Sequence, residues 1–142
     1  MGLIAGFIAG VAMDITEAAV YMTFRQPEYR SKDWVSLIVA GKRSATSSQS
    51  VFAEAGHLVL TTILGGAFAV LQPRTEKKPV LYGCTWAMGA FTVSQGLSKL
   101  LKLPLLSELG WRNRIQHLFL ALVYGSVLGA SLHLMQRNKS LW

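Results

Sequence analysis

Cysteine occurs once in these 142 residues, at Cys84, so no intrachain disulfide and no thiolate metal cluster can form. That thiol stands inside an apolar run, where it is expected to pack as a small hydrophobe. Charge is nearly as scarce. Lys, Arg, Asp and Glu make up 15% of the chain, against about a quarter in soluble domains. Residues 55–73, 79–98 and 115–136 contain none of the four, and residues 1–24 contain only Asp14 and Glu17. A polar stripe is missing too: residues 59–70 and 118–128 are apolar or small nearly all round, which excludes a soluble four-helix bundle. The N-terminus has no basic region of the kind a cleavable signal needs, and Asp14 and Glu17 fall where cleavage would occur. Gly6 stands where an N-myristoylation pattern wants Ser or Thr.

What remains is apolar chain in membrane-sized pieces. Hydrophobic residues are 51% and mean hydropathy is +0.37. A spanning helix needs roughly 20 mainly apolar residues at about 1.5 Å each. The expected fold is all-α: a polytopic membrane protein with four transmembrane helices, at about 2–24, 51–72, 79–101 and 113–136, in one antiparallel bundle. One domain uses nearly the whole chain, with no room for a soluble catalytic module. No internal repeat emerges by eye.

The net charge of +7 raises the question of nucleic acid. The 14 basic residues fall almost wholly between the apolar runs, and no nucleic-acid-binding motif is present. The expected partner is therefore the lipid bilayer and its anionic headgroups, not nucleic acid.

Pro79 suits a first helical turn, and the short 73–78 turn should make helices 2 and 3 antiparallel neighbours. Within 25–50, Ser31 to Gly41 reads as a short interfacial helix, with Trp34 at headgroup level. The 25–50 and 98–114 connections carry Arg25, Arg30, Lys32, Lys42, Arg43, Lys99, Lys102, Arg112 and Arg114. The opposite side carries Arg74, Lys77, Lys78, Arg137 and Lys139. The positive-inside rule then puts the two larger connections in the cytoplasm and both termini outside.

Helix 1 carries the most information. Gly2, Gly6 and Gly10 recur every fourth residue, a pattern that lets another backbone approach closely. At roughly 100° per residue, Glu17 falls between Gly6 and Gly10 around the helix, and Asp14 lies beside them. Both carboxyls should therefore face protein, as the cost of about 2.5–3.5 kcal/mol for a mid-bilayer Asp requires. Glu54 and His57 share a face on helix 2, with Thr61 and Gly65 continuing it. His117 and Tyr124 share one on helix 4, and Gln95 lies near the end of helix 3. Counted from the expected boundaries, Glu17 lies roughly 10–12 Å deep, His57 about 9 Å, Glu54 and Gln95 about 5 Å and His117 about 3–6 Å, with Asp14 a turn deeper. A buried polar pocket of Asp14, Glu17, Glu54, His57, Gln95 and His117 follows, opening toward the cytoplasmic side.

Three readings stay open for it. In the first, Glu17 pairs with His57 or Gln95 and the network only fixes helix register. In the second, the ionisable groups relay protons or bind a cation or small solute. In the third, Glu17, Glu54, His57 and His117 hold a metal, since Glu54-Ala55-Gly56-His57 has the Glu-x-x-His spacing of carboxylate di-iron bundles. Those sites want two such motifs plus two further Glu, and the complement here is short. No cofactor is called for, and no catalytic residue is assigned. The reading carried forward is a non-enzymatic integral membrane protein with an ion-, proton- or solute-handling pocket. Its alternatives are a structural or accessory subunit and a metal-dependent membrane oxidoreductase. The small-residue faces of helices 1 and 4 exceed the needs of one bundle, so a homo-oligomer or other membrane subunits are expected. His133 reads as an interfacial histidine.

The opening Gly-Leu-Ile-Ala-Gly-Phe-Ile-Ala-Gly, Leu81-Tyr82-Gly83 followed by Trp86, and Gln116-His117-Leu118 leading to Val123-Tyr124-Gly125-Ser126-Val127-Leu128-Gly129 are the pieces that bear comparison. In their order the chain resembles the small four-span bacterial membrane proteins of the YagU and YqhR kind. The resemblance implies residence in the bacterial inner membrane. It implies no activity, because such families have none agreed.

Overall fold

Each apolar run becomes one helix. A computed structural model describes residues 1–24, 47–72, 78–100 and 110–139, and among them every regular element is helical. They are α1 (Gly2–Phe24), α2 (Ser47–Leu71), α3 (Pro79–Leu100) and α4 (Trp111–Lys139). Pro79 opens α3, where its missing N–H costs nothing. Gly110 precedes α4, and its carbonyl accepts from the N–H groups of Asn113 and Arg114. The interfacial helix expected over Ser31 to Gly41, with Trp34, lies outside the described residues.

Three helices are long and apolar enough to cross a membrane, over Gly2–Thr23, Val51–Leu71 and Asn113–Asn138. The fourth, α3, is not among them. It has the length, but three glycines and Thr85, Thr92, Ser94 and Gln95 dilute its hydropathy. Packing is inside out for a protein in water. Ala5 and Ala9 are fully buried, whereas Phe52 is 78% and Val70 83% exposed. Small residues fill the seams and large apolar ones face outward, an arrangement that suits hydrocarbon as solvent.

The seams follow one rule. Along α1 and α2 the facing pairs are Gly2 with Ala69, Gly6 with Gly65, Gly10 with Thr61, and then Asp14 with His57. Each step is four residues on both antiparallel helices. At Gly6 the approach is backbone on backbone: a Cβ there would stand 2.7 Å from the Thr61 carbonyl oxygen and 2.8 Å from Gly65 Cα. The second hairpin repeats the pattern, with Gly129 against Pro79 and Gly125 against Gly83. Ala87 and Ala121, next in register, are buried in the same core cluster. Continuing the register sets Phe91 level with His117.

The two hairpins therefore repeat one seam pattern. Residues 57–60 read His-Leu-Val-Leu and residues 117–120 read His-Leu-Phe-Leu, each followed by a seam glycine, Gly65 or Gly125. The matching helices are not separated by a constant interval, because the connection inside the first hairpin is longer. That difference hid the repeat.

The seams differ in how closely their helices pack. Close packing joins α1 to α2, α1 to α4 and α3 to α4. Consecutive α2 and α3 do not approach closely; they meet through large side chains, such as Phe68 against Trp86 with ring centroids 5.9 Å apart. The repeat supplies the reason. Where α1 presents Ala5 and Ala9, α3 carries Tyr82 and Trp86 at the equivalent steps, and the bulk holds α2 away. The small-residue faces of α1 and α4 are both consumed inside the chain, against α2 and α3.

Candidate functional site

Beyond Gly10 and Thr61 the α1–α2 seam turns from small to ionisable. The next pair is Asp14 with His57, Oδ1 to Nδ1 at 3.0 Å, with side chains 18% and 9% exposed. Counted from the expected helix boundaries, Asp14 lies deeper than His57. In the structure α2 starts at Ser47, four residues before the expected boundary, which sinks His57 by about 6 Å. His57 therefore meets the deeper acid.

Glu17 is the most buried carboxylate among the described residues, at 2% exposure, and makes an interaction of its own. It lies one turn from Asp14, and the four-residue ladder puts Glu54 at the same level on α2. Glu54 is half-buried and is likewise engaged. His117 of α4 is buried and lies within electrostatic range of His57. Gln95 of α3 is half-buried and engaged, one turn beyond the level of His117. Two histidines at equivalent steps of the two hairpins thus approach the middle of the bundle, while the acids come from the first hairpin alone.

Two residues outside the expected set close the deep side of this level. Tyr124 is 4% exposed, and its hydroxyl donates to the Thr61 carbonyl at 2.7 Å, tying α4 to α2. Thr61 also turns its own hydroxyl onto the Leu58 carbonyl. The signal was spacing: Thr61 follows His57 by four residues and Tyr124 follows His117 by seven, which keeps each on its histidine's face. Beyond that bond the interior is apolar, built from Ala5, Ala9, Phe68, Leu128 and Leu132. The polar level is thus bounded on one side by a tyrosine and a hydrophobic plug.

Most remaining hydroxyls bond back to their own helices, as Thr62 does to Leu58 and Thr92 to Met88. Ser126 instead meets Cys84 across the α3–α4 seam, Oγ to Sγ at 3.3 Å. Among the described residues, no three His, Cys, Asp or Glu side chains are grouped as a metal site requires. The metal reading of Glu17, Glu54, His57 and His117 gains no support from the geometry. No protein-family model, curated protein or solved structure matches the chain.

Proposed function

We propose that this chain is a four-span integral membrane protein that handles protons or a small cation at the level of Asp14, Glu17, Glu54, His57 and His117. The observation that carries the reading is the Asp14–His57 contact between two helices that are each apolar enough to span. Ionisable groups at such depth are expensive in lipid and mark ion or proton sites by default. His57 and His117 are both buried, and His57 has the Asp14 carboxylate within hydrogen-bond distance, so a protonatable pair stands between two spanning helices. Tyr124 and the apolar cluster bound the level on one side, so passage across the membrane requires the Tyr124–Thr61 contact to open.

A fourth span fits this reading. Residues 79–98 of α3 carry no charge, and Val80, Leu81, Val93 and Leu97 face outward. Basic residues are more numerous in the 25–50 and 98–114 connections, which supports a cytoplasmic location for these and an outer location for both termini. Membership of the bacterial inner membrane, and partnership with a second copy or another membrane subunit, belong to the same proposal. Proton flux into proteoliposomes under a pH gradient tests it. Glu17→Gln should leave the purified protein folded and reduce flux at least about tenfold, the effect of removing one essential proton carrier. Equal flux in both proteins would remove the proposal.

A second reading rests on the Tyr124–Thr61 bond, which ties helices together without any ionisable group. In it the polar level is a structural clamp of an accessory subunit. Glu17→Gln would then lower the thermal midpoint in detergent, and the wild-type protein would carry no flux.

A further inference from the structure

The gap left between α2 and α3 is a cavity of about 280 Å³ lined by Phe68, Leu71, Gln72, Tyr82, Thr85 and Trp86. It lies at the opposite end of the bundle from the acids and histidines, beside the end of α2 and the start of α3. We propose that it is a binding groove for one anionic phospholipid. The proposal rests on the membrane reading above but not on the ionisable site.

The groove offers a slot between two helices that accepts part of an acyl chain. Its surroundings are outward-facing apolar side chains: Leu71 and Leu81 are exposed on either side, together with Val70. Those surfaces face lipid in the membrane reading, so a molecule entering between them comes from the lipid phase.

Two polar atoms show what the groove lacks. Gln72 Oε1 and Trp86 Nε1 are both shielded, and neither has a hydrogen-bond partner. Hydrocarbon offers no water to satisfy them. One accepts and the other donates, so a backbone ester carbonyl of the lipid can take the indole N–H while a hydroxyl of a polyol headgroup, as in phosphatidylglycerol, donates to the amide oxygen. Gln72 directly follows α2, and Trp86 lies about 10 Å along α3 from Pro79. This depth range is that of the glycerol and upper acyl chain. Exposed Lys78 immediately precedes α3, which favours an anionic headgroup.

The equivalent place in the other half of the repeat explains why the groove exists only here. Ala5 and Ala9 of α1 join Leu128 and Leu132 of α4 in one buried cluster. The corresponding residues of α3 and α2 are Tyr82, Trp86, Phe68 and Gln72, four of the groove's six lining residues. The substitution of aromatic bulk for alanine replaces a helix seam by a slot.

The test uses Trp86 as its own reporter. Trp34, Trp111 and Trp142 are replaced by Phe, and the full chain is reconstituted in phosphatidylcholine vesicles. Increasing mole fractions of phosphatidylglycerol, brominated on the upper acyl chain, are then included. Trp86 fluorescence should reach half-maximal quenching at a mole fraction about fivefold lower than with equally brominated phosphatidylcholine, the preference one adjacent lysine confers. Lys78→Glu should abolish the headgroup preference, and Gln72→Leu should raise the half-maximal mole fraction. Quenching that follows bulk composition equally for both lipids would overturn the proposal. Trp86 unquenched by either lipid, with the chain left in the aqueous phase, would overturn the membrane reading as well.

Discussion

His57 and His117 open the same phrase, His-Leu-x-Leu, at equivalent steps of the two hairpins, but the first faces Asp14 while the second is level with Phe91. One scaffold thus presents two imidazoles to a common interior and supplies acids from one half only. The asymmetry distinguishes the ionisable level of the first hairpin from the same level of the second.

Asp14 and His57 should be energetically coupled. Replacing either by Leu leaves the other buried without its partner, which is expected to cost about 1–3 kcal/mol in detergent unfolding. The double replacement should cost less than the sum, with a coupling of about 1–2 kcal/mol. Strict additivity would mean that the contact contributes nothing.

Gly6 and Gly89 should respond oppositely to a larger side chain. A Cβ on Gly6 meets the Thr61 carbonyl and Gly65 backbone, so Gly6→Val should destabilise by about 3 kcal/mol through separation of α1 and α2. Nothing lies within 4 Å of the Cβ position at Gly89, so Gly89→Ala should be neutral or stabilising by up to about 1 kcal/mol. Thermal midpoints measured side by side check both.

Tyr124→Phe removes the bond to the Thr61 carbonyl while keeping the ring. Because that oxygen belongs to a helix that already engages it, the loss should be about 1 kcal/mol, the net value of one hydrogen bond. A measured loss above 3 kcal/mol would show that the hydroxyl has a further partner in the polar level.

Tyr82→Ala with Trp86→Ala gives α3 the alanines that α1 carries at the same steps. The α2–α3 gap should then close. In a Cys84→Ser background, cysteines at Leu71 and Leu81 should cross-link with a short reagent more readily than in the parent. An unchanged or lower yield would show that aromatic bulk is not what separates the helices.

The helices themselves were legible because lack of charge over about twenty residues is a strong local signal, and α1 matched its expected limits. The contact of Asp14 with His57 was not, because depth depends on where α2 begins. Four polar residues before the apolar run, Ser47 to Ser50, gave no hint that they continue the helix. The order of packing was hidden for a different reason. Chain proximity favoured α2 beside α3, but close approach requires small residues on both surfaces, and Tyr82 and Trp86 remove them. The repeat was masked by unequal connections, and only the register of the glycine contacts brings His57 and His117 into line.

The register of the first seam is what places acid against imidazole inside lipid, and cross-linking in native membranes reads it directly. In a Cys84→Ser background, cysteines replacing Asp14 and His57 are treated with a short bifunctional thiol reagent and the products identified by mass spectrometry. The same is done with cysteines replacing Ile15 and His57; Ile15 is 65% exposed and turned away from the seam. Efficient bridging of the 14/57 pair with little of the 15/57 pair is the expected result. Equal bridging of both pairs, or bridging of 15/57 alone, would contradict the seam and the site built on it.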